Sequence, residues 1–178
     1  WNEFEYLDKT MPEKNIVILG GGQAAANAIK AIRNLDKNCH VSLVSEETSL
    51  PYERPPLSKK CITGGKTLES CIFFDEEFYD RHNIELHLDR KVELVDFQNH
   101  QLLIDKQVPI AFDHLLIATG SKNRVIEIDG IASEQIHYLR TMAESQAIVD
   151  KAQTENRVLI IGGGFIGMEL AASLRSLG

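Results

Sequence analysis

The sequence predicts an α/β fold, and three observations carry that prediction. A β-branched run, a glycine-rich turn and a small-residue helix follow one another from Ile16 to Leu35. His40 to Val44 then adds a second strand, so that residues 15–44 have the size of a parallel β-α-β crossover. The same order of strand, turn and helix returns between Val158 and Leu177. Between the two, residues 84–112 break into short apolar runs separated by polar turns.

The elements follow in order. Ile16 to Leu19 is the first strand and Gly20 to Gly22 its turn, and Ala24 to Leu35 places Ala25, Ala28, Ile29 and Ile32 on one helical face. Ser45 to Pro56 holds Pro51, Pro55 and Pro56 without periodicity and reads as a loop, with Ser58 suited to cap a short helix after it. Asp75 to His82 reads as another short helix. Ile84–Leu88, Lys91–Asp96, Gln101–Ile104 and Val108–Phe112 are expected to form an antiparallel meander inserted in the domain. Leu115 to Ala118 is continuously apolar and runs into Thr119-Gly120, the pattern of a parallel strand buried on both faces and ending at a ligand edge. Thr141 and Glu144 form a T-x-x-E capping box before a helix reaching about Ala152.

Composition narrows the function classes. Among 178 residues, 19 Lys+Arg stand against 26 Asp+Glu, a net charge of -7, so the basic stripe of a nucleic-acid binder is not expected. Cys39, Cys61 and Cys71 have the spacing of neither a disulfide framework nor a C-x-x-C pair, which fits a reducing cytoplasm. The residues before Met11 carry acids where a signal peptide carries a basic and then an apolar stretch. The apolar runs Ile16–Ile32 and Val158–Leu174 are each broken by three glycines, so no membrane span is expected. The expected division is a nucleotide-binding domain over 11–140, then a linker helix and the start of a second such domain over 141–178. A β-α pair cannot bury its own apolar faces, so the second is expected to be incomplete and the chain an N-terminal piece.

The glycine turns carry the chemistry. Gly20-x-Gly22-x-x-Ala25 after a strand is the phosphate-binding turn of a dinucleotide-binding, Rossmann-like fold: the first glycine permits the turn, the second admits a pyrophosphate, and the small third residue lets helix and strand pack. Glu46, 21 residues after Ala25, stands where a carboxylate accepts the hydroxyls of an adenosine ribose, with Glu47 as its adjacent competitor. Gly162-x-Gly164-x-x-Gly167 is the full three-glycine form. A close-packed β-α turn without ligand is the alternative for both. Two such turns in one chain point to a flavin enzyme in which one site holds FAD and the other a nicotinamide, NAD or NADP. The side chain that would choose between NAD and NADP is expected past Gly178. The six histidines lack metal-ligand spacing, no G-x-S-x-G turn occurs, and Gly65-Lys66-Thr67 lacks the first glycine of a P-loop.

The string Leu50-Pro51-Tyr52-Glu53-Arg54-Pro55-Pro56-Leu57-Ser58-Lys59, with Gly20 to Ala25 before it and Ala118-Thr119-Gly120 after it, resembles the FAD-dependent ferredoxin and rubredoxin reductases. It is similar above all to the reductase components of aromatic-ring dioxygenases, and apoptosis-inducing factor shares the pattern. The resemblance implies that Gly20, Gly22 and Ala25 line the FAD pyrophosphate, Glu46 meets its ribose and Arg54 lies near its adenosine and phosphate. Val92 would meet the adenine through its backbone, and Ala118, Thr119 and Gly120 would lie by the diphosphate. Lys59 would approach the flavin ring, paired with Glu169, while Gly162, Gly164 and Gly167 bind the nicotinamide nucleotide. It further implies an oxidoreductase passing electrons from NAD(P)H through FAD to a ferredoxin or rubredoxin. Thiol-disulfide relatives carry a C-x4-C pair where this chain has the cysteine-free stretch Pro51 to Lys59. A non-catalytic nucleotide-binding fragment and a disulfide- or nitrite-reductase-type flavoprotein are the alternatives.

Overall fold

The computed structural model of the chain describes residues 14–105, 108–155 and 157–178. The acidic leader and Met11 lie outside the described residues. The described residues form two compact units, one from residues 14–51 together with Phe74–Thr119, the other from Tyr52–Phe73 together with Gly120–Gly178.

The first unit is built on a four-stranded parallel sheet in the order β3-β2-β1-β7, with β1 at Asn15–Leu19, β2 at His40–Val44, β3 at Ile84–His87 and β7 at His114–Ile117. Helix α1 (Gln23–Leu35) connects β1 to β2 and buries Ala25 and Ile29 in one cluster with Ile18, Val41 and Leu43, with Ala28 and Ile32 packed against it, as its apolar face predicts. Its one buried charge, Arg33, donates to the carbonyls of Cys39 at 2.9 Å, His82 at 2.8 Å and Asn83 at 3.2 Å. That guanidinium satisfies the chain where it enters β2 and β3, so a buried cation costs little here.

The expected four-stranded meander has three strands: β4 (Val92–Asp96), β5 (Gln101–Ile104) and β6 (Val108–Ala111), paired antiparallel in that order. Ile84–His87 instead pairs parallel to β2, with Val41 opposite Ile84. Helix α2 (Glu76–Arg81), capped by Asp75 accepting from the Phe78 amide at 2.9 Å, supplies the crossover that makes β3 parallel. Burial of Ile84 beside Tyr79 holds it there. Strand β7 also departs from expectation, since it is an edge strand with Leu116 39% and Ile117 56% exposed. A continuous apolar run does not distinguish an edge from a central parallel strand.

The second unit packs the strip Tyr52–Phe73 with helices α3 (Met142–Ala152) and α4 (Phe165–Arg175). Its core is Tyr52, Leu57, Cys61 and Cys71, with Leu68, Ile72, Leu139 and Met142 against them. The capping box forms as expected: Thr141 Oγ1 accepts from the Glu144 amide at 3.2 Å, and Glu144 Oε2 accepts from the Thr141 amide at 2.8 Å. Ser58 does not open a helix but ends the 3-10 turn Pro55–Ser58, because the consecutive prolines fix that turn ahead of it. Val158–Ile161 is not a strand; it has no ladder partner among the described residues, and Leu159 is 84% exposed. Among the described residues no helix is long and apolar enough to cross a membrane.

Candidate functional site

In the first unit the predicted residues gather at the carboxyl edge of the parallel sheet. Leu19 is level with Val44 on one side and Ile117 on the other, so the three loops that follow start side by side. The Gly20 amide donates to Val44 O at 2.8 Å, and the Ala118 amide to Leu19 O at 2.7 Å. Gly20 has φ +119°, and a Cβ there would stand 2.3 Å from Ala118 O, so only glycine fits against the Ala118-Thr119 peptide. Gly22 caps α1 with extended backbone, no side-chain cap and no acidic residue in the first turn. The amides opening α1 are therefore presented without a built-in anion, while Ala25 is fully buried against the sheet.

Glu46 is exposed at the same edge, directly after buried Ser45. Ser45 is fixed from both sides: its amide donates to His87 O at 2.9 Å and its hydroxyl accepts from the Glu47 amide at 3.1 Å. Val92 packs in the cluster that contains Val17 and Val44, so its side chain serves the core. These residues fit a dinucleotide phosphate: close backbone, free helix amides and a carboxylate at the end of the neighbouring strand.

In the second unit the other glycine turn repeats the first. Gly162 has φ +108°, and Gly164 caps α4 without a side-chain cap, as Gly22 caps α1. A Cβ at Gly167 would lie 2.5 Å from Gly162 O, which explains glycine here where the first turn takes Ala25. Gly120, exposed and with φ +71°, lies by the Arg140 guanidinium.

Lys59 and Glu169, also in this unit, form the expected ion pair, with Nζ 3.1 Å from Oε1. Sequence reasoning missed the group that completes it. Ser58 Oγ donates to Glu169 Oε2 at 2.6 Å, and the Ser58 carbonyl accepts from Ser173 Oγ at 2.8 Å. The Ser58 bond first, and Lys59 second, hold the Glu169 carboxyl below the ordinary carboxylate range. The arrangement is a fixed ammonium held by an ionised carboxylate, suited to stabilising negative charge that develops beside it. Arg54 Nη1 donates to Arg140 O at 2.7 Å and to Tyr52 Oη at 3.1 Å, with the guanidinium 5.0 Å from the Tyr52 ring centre. Arg54 thereby braces the strip against the start of α3.

Comparison with known proteins gives consistent relatives. The chain is 34% identical over 164 residues to rhodocoxin reductase of Rhodococcus erythropolis, covering 92% of this chain and 38% of that protein. It is 36% identical over 162 residues to the ferredoxin–NAD(+) reductase component of the p-cumate 2,3-dioxygenase system of Pseudomonas putida, covering 91% and 40%. The crystal structure of the ferredoxin reductase for the CYP199A2 system from Rhodopseudomonas palustris superposes with TM-score 0.87 at 32% identity, over 93% of this chain and 41% of that one. The chain thus spans about two fifths of the length of the relatives it matches. The sequence profile of the pyridine nucleotide-disulphide oxidoreductases matches residues 14–178, and with the parallel sheet and its glycine turn this places the chain in that family.

Proposed function

We propose that the protein is a flavoprotein oxidoreductase that passes electrons from NAD(P)H through FAD to a ferredoxin or rubredoxin, serving an aromatic-ring dioxygenase. The observation that supports this best is the level carboxyl edge of β1, β2 and β7, where Gly20 closes on Ala118 and the α1 amides stand open. Relatives named as ferredoxin–NAD(+) reductase components and rhodocoxin reductase point to the same chemistry. The FAD-binding part is proposed to run over 11–140 and the NAD(P)-binding part to begin within 141–178.

The chemistry that FAD would supply is acceptance of a hydride and release of single electrons. The chain's own residues do the rest. The turn from Gly20 through Gly22 to Ala25 brings backbone amides to the pyrophosphate and Glu46 holds the ribose. Ala118, Thr119 and Gly120 flank the diphosphate, Val92 offers backbone to the adenine, and Arg54 lies on the adenosine-phosphate side. Lys59, held by Glu169, would offer a positive charge to the flavin ring, suited to stabilising added electron density. Gly162, Gly164 and Gly167 receive the nicotinamide nucleotide. The cysteine spacing supports a reducing cytoplasm as its place of work.

The test is anaerobic mixing of the product of the intact gene with NADH and with NADPH. Bleaching of the flavin absorption by one of them, followed by reduction of an added ferredoxin or rubredoxin, is the expected result. A protein that binds FAD but is bleached by neither would overturn the proposal.

A further inference from the structure

We propose that Cys61 and Cys71 are a reversible dithiol-disulfide pair, a modification site separate from the electron path and closing the 61–71 loop under oxidising conditions. The two sulfurs lie 3.5 Å apart inside the core of the second unit. Forming the bond requires an approach of about 1.5 Å, to the ~2.05 Å of a disulfide. The backbone around both is fixed. The Glu53 amide donates to Cys71 O at 2.9 Å, Tyr52 bridges Ile72, and the Cys61 amide donates to Pro56 O at 3.0 Å. The pair is thus set by the fold rather than by a fluctuating loop.

Neither sulfur belongs to the C-x4-C position that thiol-disulfide relatives use, which is why sequence spacing passed over them. Cys39, the third cysteine, has its sulfur within 3.2 Å of Arg33 Nη1 and lies in the other unit. Burial, together with the neighbouring Cys71, pushes the Cys61 thiol up, which favours the protonated sulfur at neutral pH. The cation that favours a thiolate there is Lys66, itself paired with Glu53 at 2.8 Å.

The oxidant is of the hydrogen peroxide class. Cys61 is the more exposed residue of the two, 9% against 1% for Cys71, and is assigned the first step. Its thiolate attacks one peroxide oxygen, the O–O bond breaks, and Cys61 becomes a sulfenic acid as one water leaves. The Cys71 sulfur then attacks the Cys61 sulfur, the S–O bond breaks, and a second water carries away the remaining thiol proton. Two thiols and one peroxide give one disulfide and two waters, two electrons passing from sulfur to oxygen. A dithiol reductant reverses the change. The Pro56 carbonyl accepts from both the Cys61 and Lys59 amides, each at 3.0 Å, so the crosslink also stiffens the segment that carries Lys59.

The test treats the product of the intact gene with hydrogen peroxide, then alkylates it with N-ethylmaleimide under denaturing conditions and maps the peptides by mass. The expected map shows the Cys61 and Cys71 peptides joined as their major form, separated and alkylated after dithiothreitol, with Cys39 alkylated throughout. Cys61→Ser abolishes the joined species and leaves Cys71 alkylated. Should that variant fail to fold, the wild-type map decides by itself. Full alkylation of both cysteines after peroxide, a sulfinic acid at Cys61 beside a free Cys71, or crosslinks to other cysteines would overturn the proposal.

Discussion

Ser58 and Glu169, 111 residues apart in the chain, share a 2.6 Å hydrogen bond, and Ser173, one turn further along α4, donates to the Ser58 carbonyl at 2.8 Å. Two side chains on one face of a helix therefore grip a single residue of the Pro55–Ser58 turn. The next residue, Lys59, takes the remaining carboxylate oxygen. The carboxylate that meets the Lys59 ammonium is positioned by this grip.

Removing the Ser58 hydroxyl is expected to release the Glu169 carboxyl toward its ordinary value of 4.5, because that bond is the largest cause of its lowering. The sign follows from linkage. A carboxyl whose folded-state pKa is depressed adds stability above its unfolded value and loses it as pH falls through the folded value. Ser58→Ala should move the Glu169 titration midpoint upward, with Lys59 supplying what lowering remains. Carbon NMR of the labelled carboxyl reads this directly, and an unchanged midpoint would refute it.

The pairing of Lys59 with Glu169 leads to a kinetic expectation in the flavin-loaded protein. If the carboxylate acts by holding the ammonium, losing either partner removes most of the same effect. Lys59→Ala, Glu169→Ala and the double variant should then depart from additivity in flavin reduction rate by roughly two- to tenfold. Additive effects would show that the ion pair has no part in the reaction.

How far the fold was legible can be told from particular residues. The β1-α1-β2 unit was readable because its glycine turn, apolar helix face and length are all local, and so was the Thr141–Glu144 box. The alternation at Ile84–Leu88 specifies a strand but not its direction, since period two is the same in parallel and antiparallel ladders, and the strand pairs parallel to β2 instead of joining the meander. Direction was decided by α2 and by burial of Ile84 beside Tyr79. Val158–Ile161 has the composition of a strand, yet a strand is a pairing relation, and no described segment supplies the partner. The Lys59–Glu169 pair came from a family resemblance, while the hydroxyl of Ser58 gave no local signal because its partners, Glu169 and Ser173, are remote in sequence.

Gly20 offers a test of the phosphate turn that does not depend on turnover. Alanine there meets φ +119° and a Cβ position 2.3 Å from Ala118 O, a backbone atom that cannot rotate away. Strain and overpacking together should cost about 3 kcal/mol or more. Urea unfolding of Gly20→Ala should show that loss, together with reduced flavin content after purification. A variant as stable as the parent and fully loaded with flavin would mean that the turn does not close on Ala118.

Tyr79 should be better as phenylalanine. Its side chain is fully buried, its ring packs edge-on to Phe78 at 5.5 Å and Phe74 at 6.4 Å, and its hydroxyl finds no hydrogen-bond partner among the described residues. In the unfolded chain that hydroxyl bonds water, so folding loses a bond without replacing it, a cost of about 1–3 kcal/mol for a buried unsatisfied group. Tyr79→Phe keeps the ring and removes the cost, leaving only a void of one oxygen atom. The net gain expected is about 1 kcal/mol, since part of the saving is returned as lost packing. Tyr79→Ala, which removes the ring as well, should lose about 3–5 kcal/mol on the scale of large aromatic deletions. Equilibrium urea unfolding of the two variants beside the parent separates ring from hydroxyl. A Tyr79→Phe protein less stable than the parent would show that the hydroxyl is satisfied in the folded state after all.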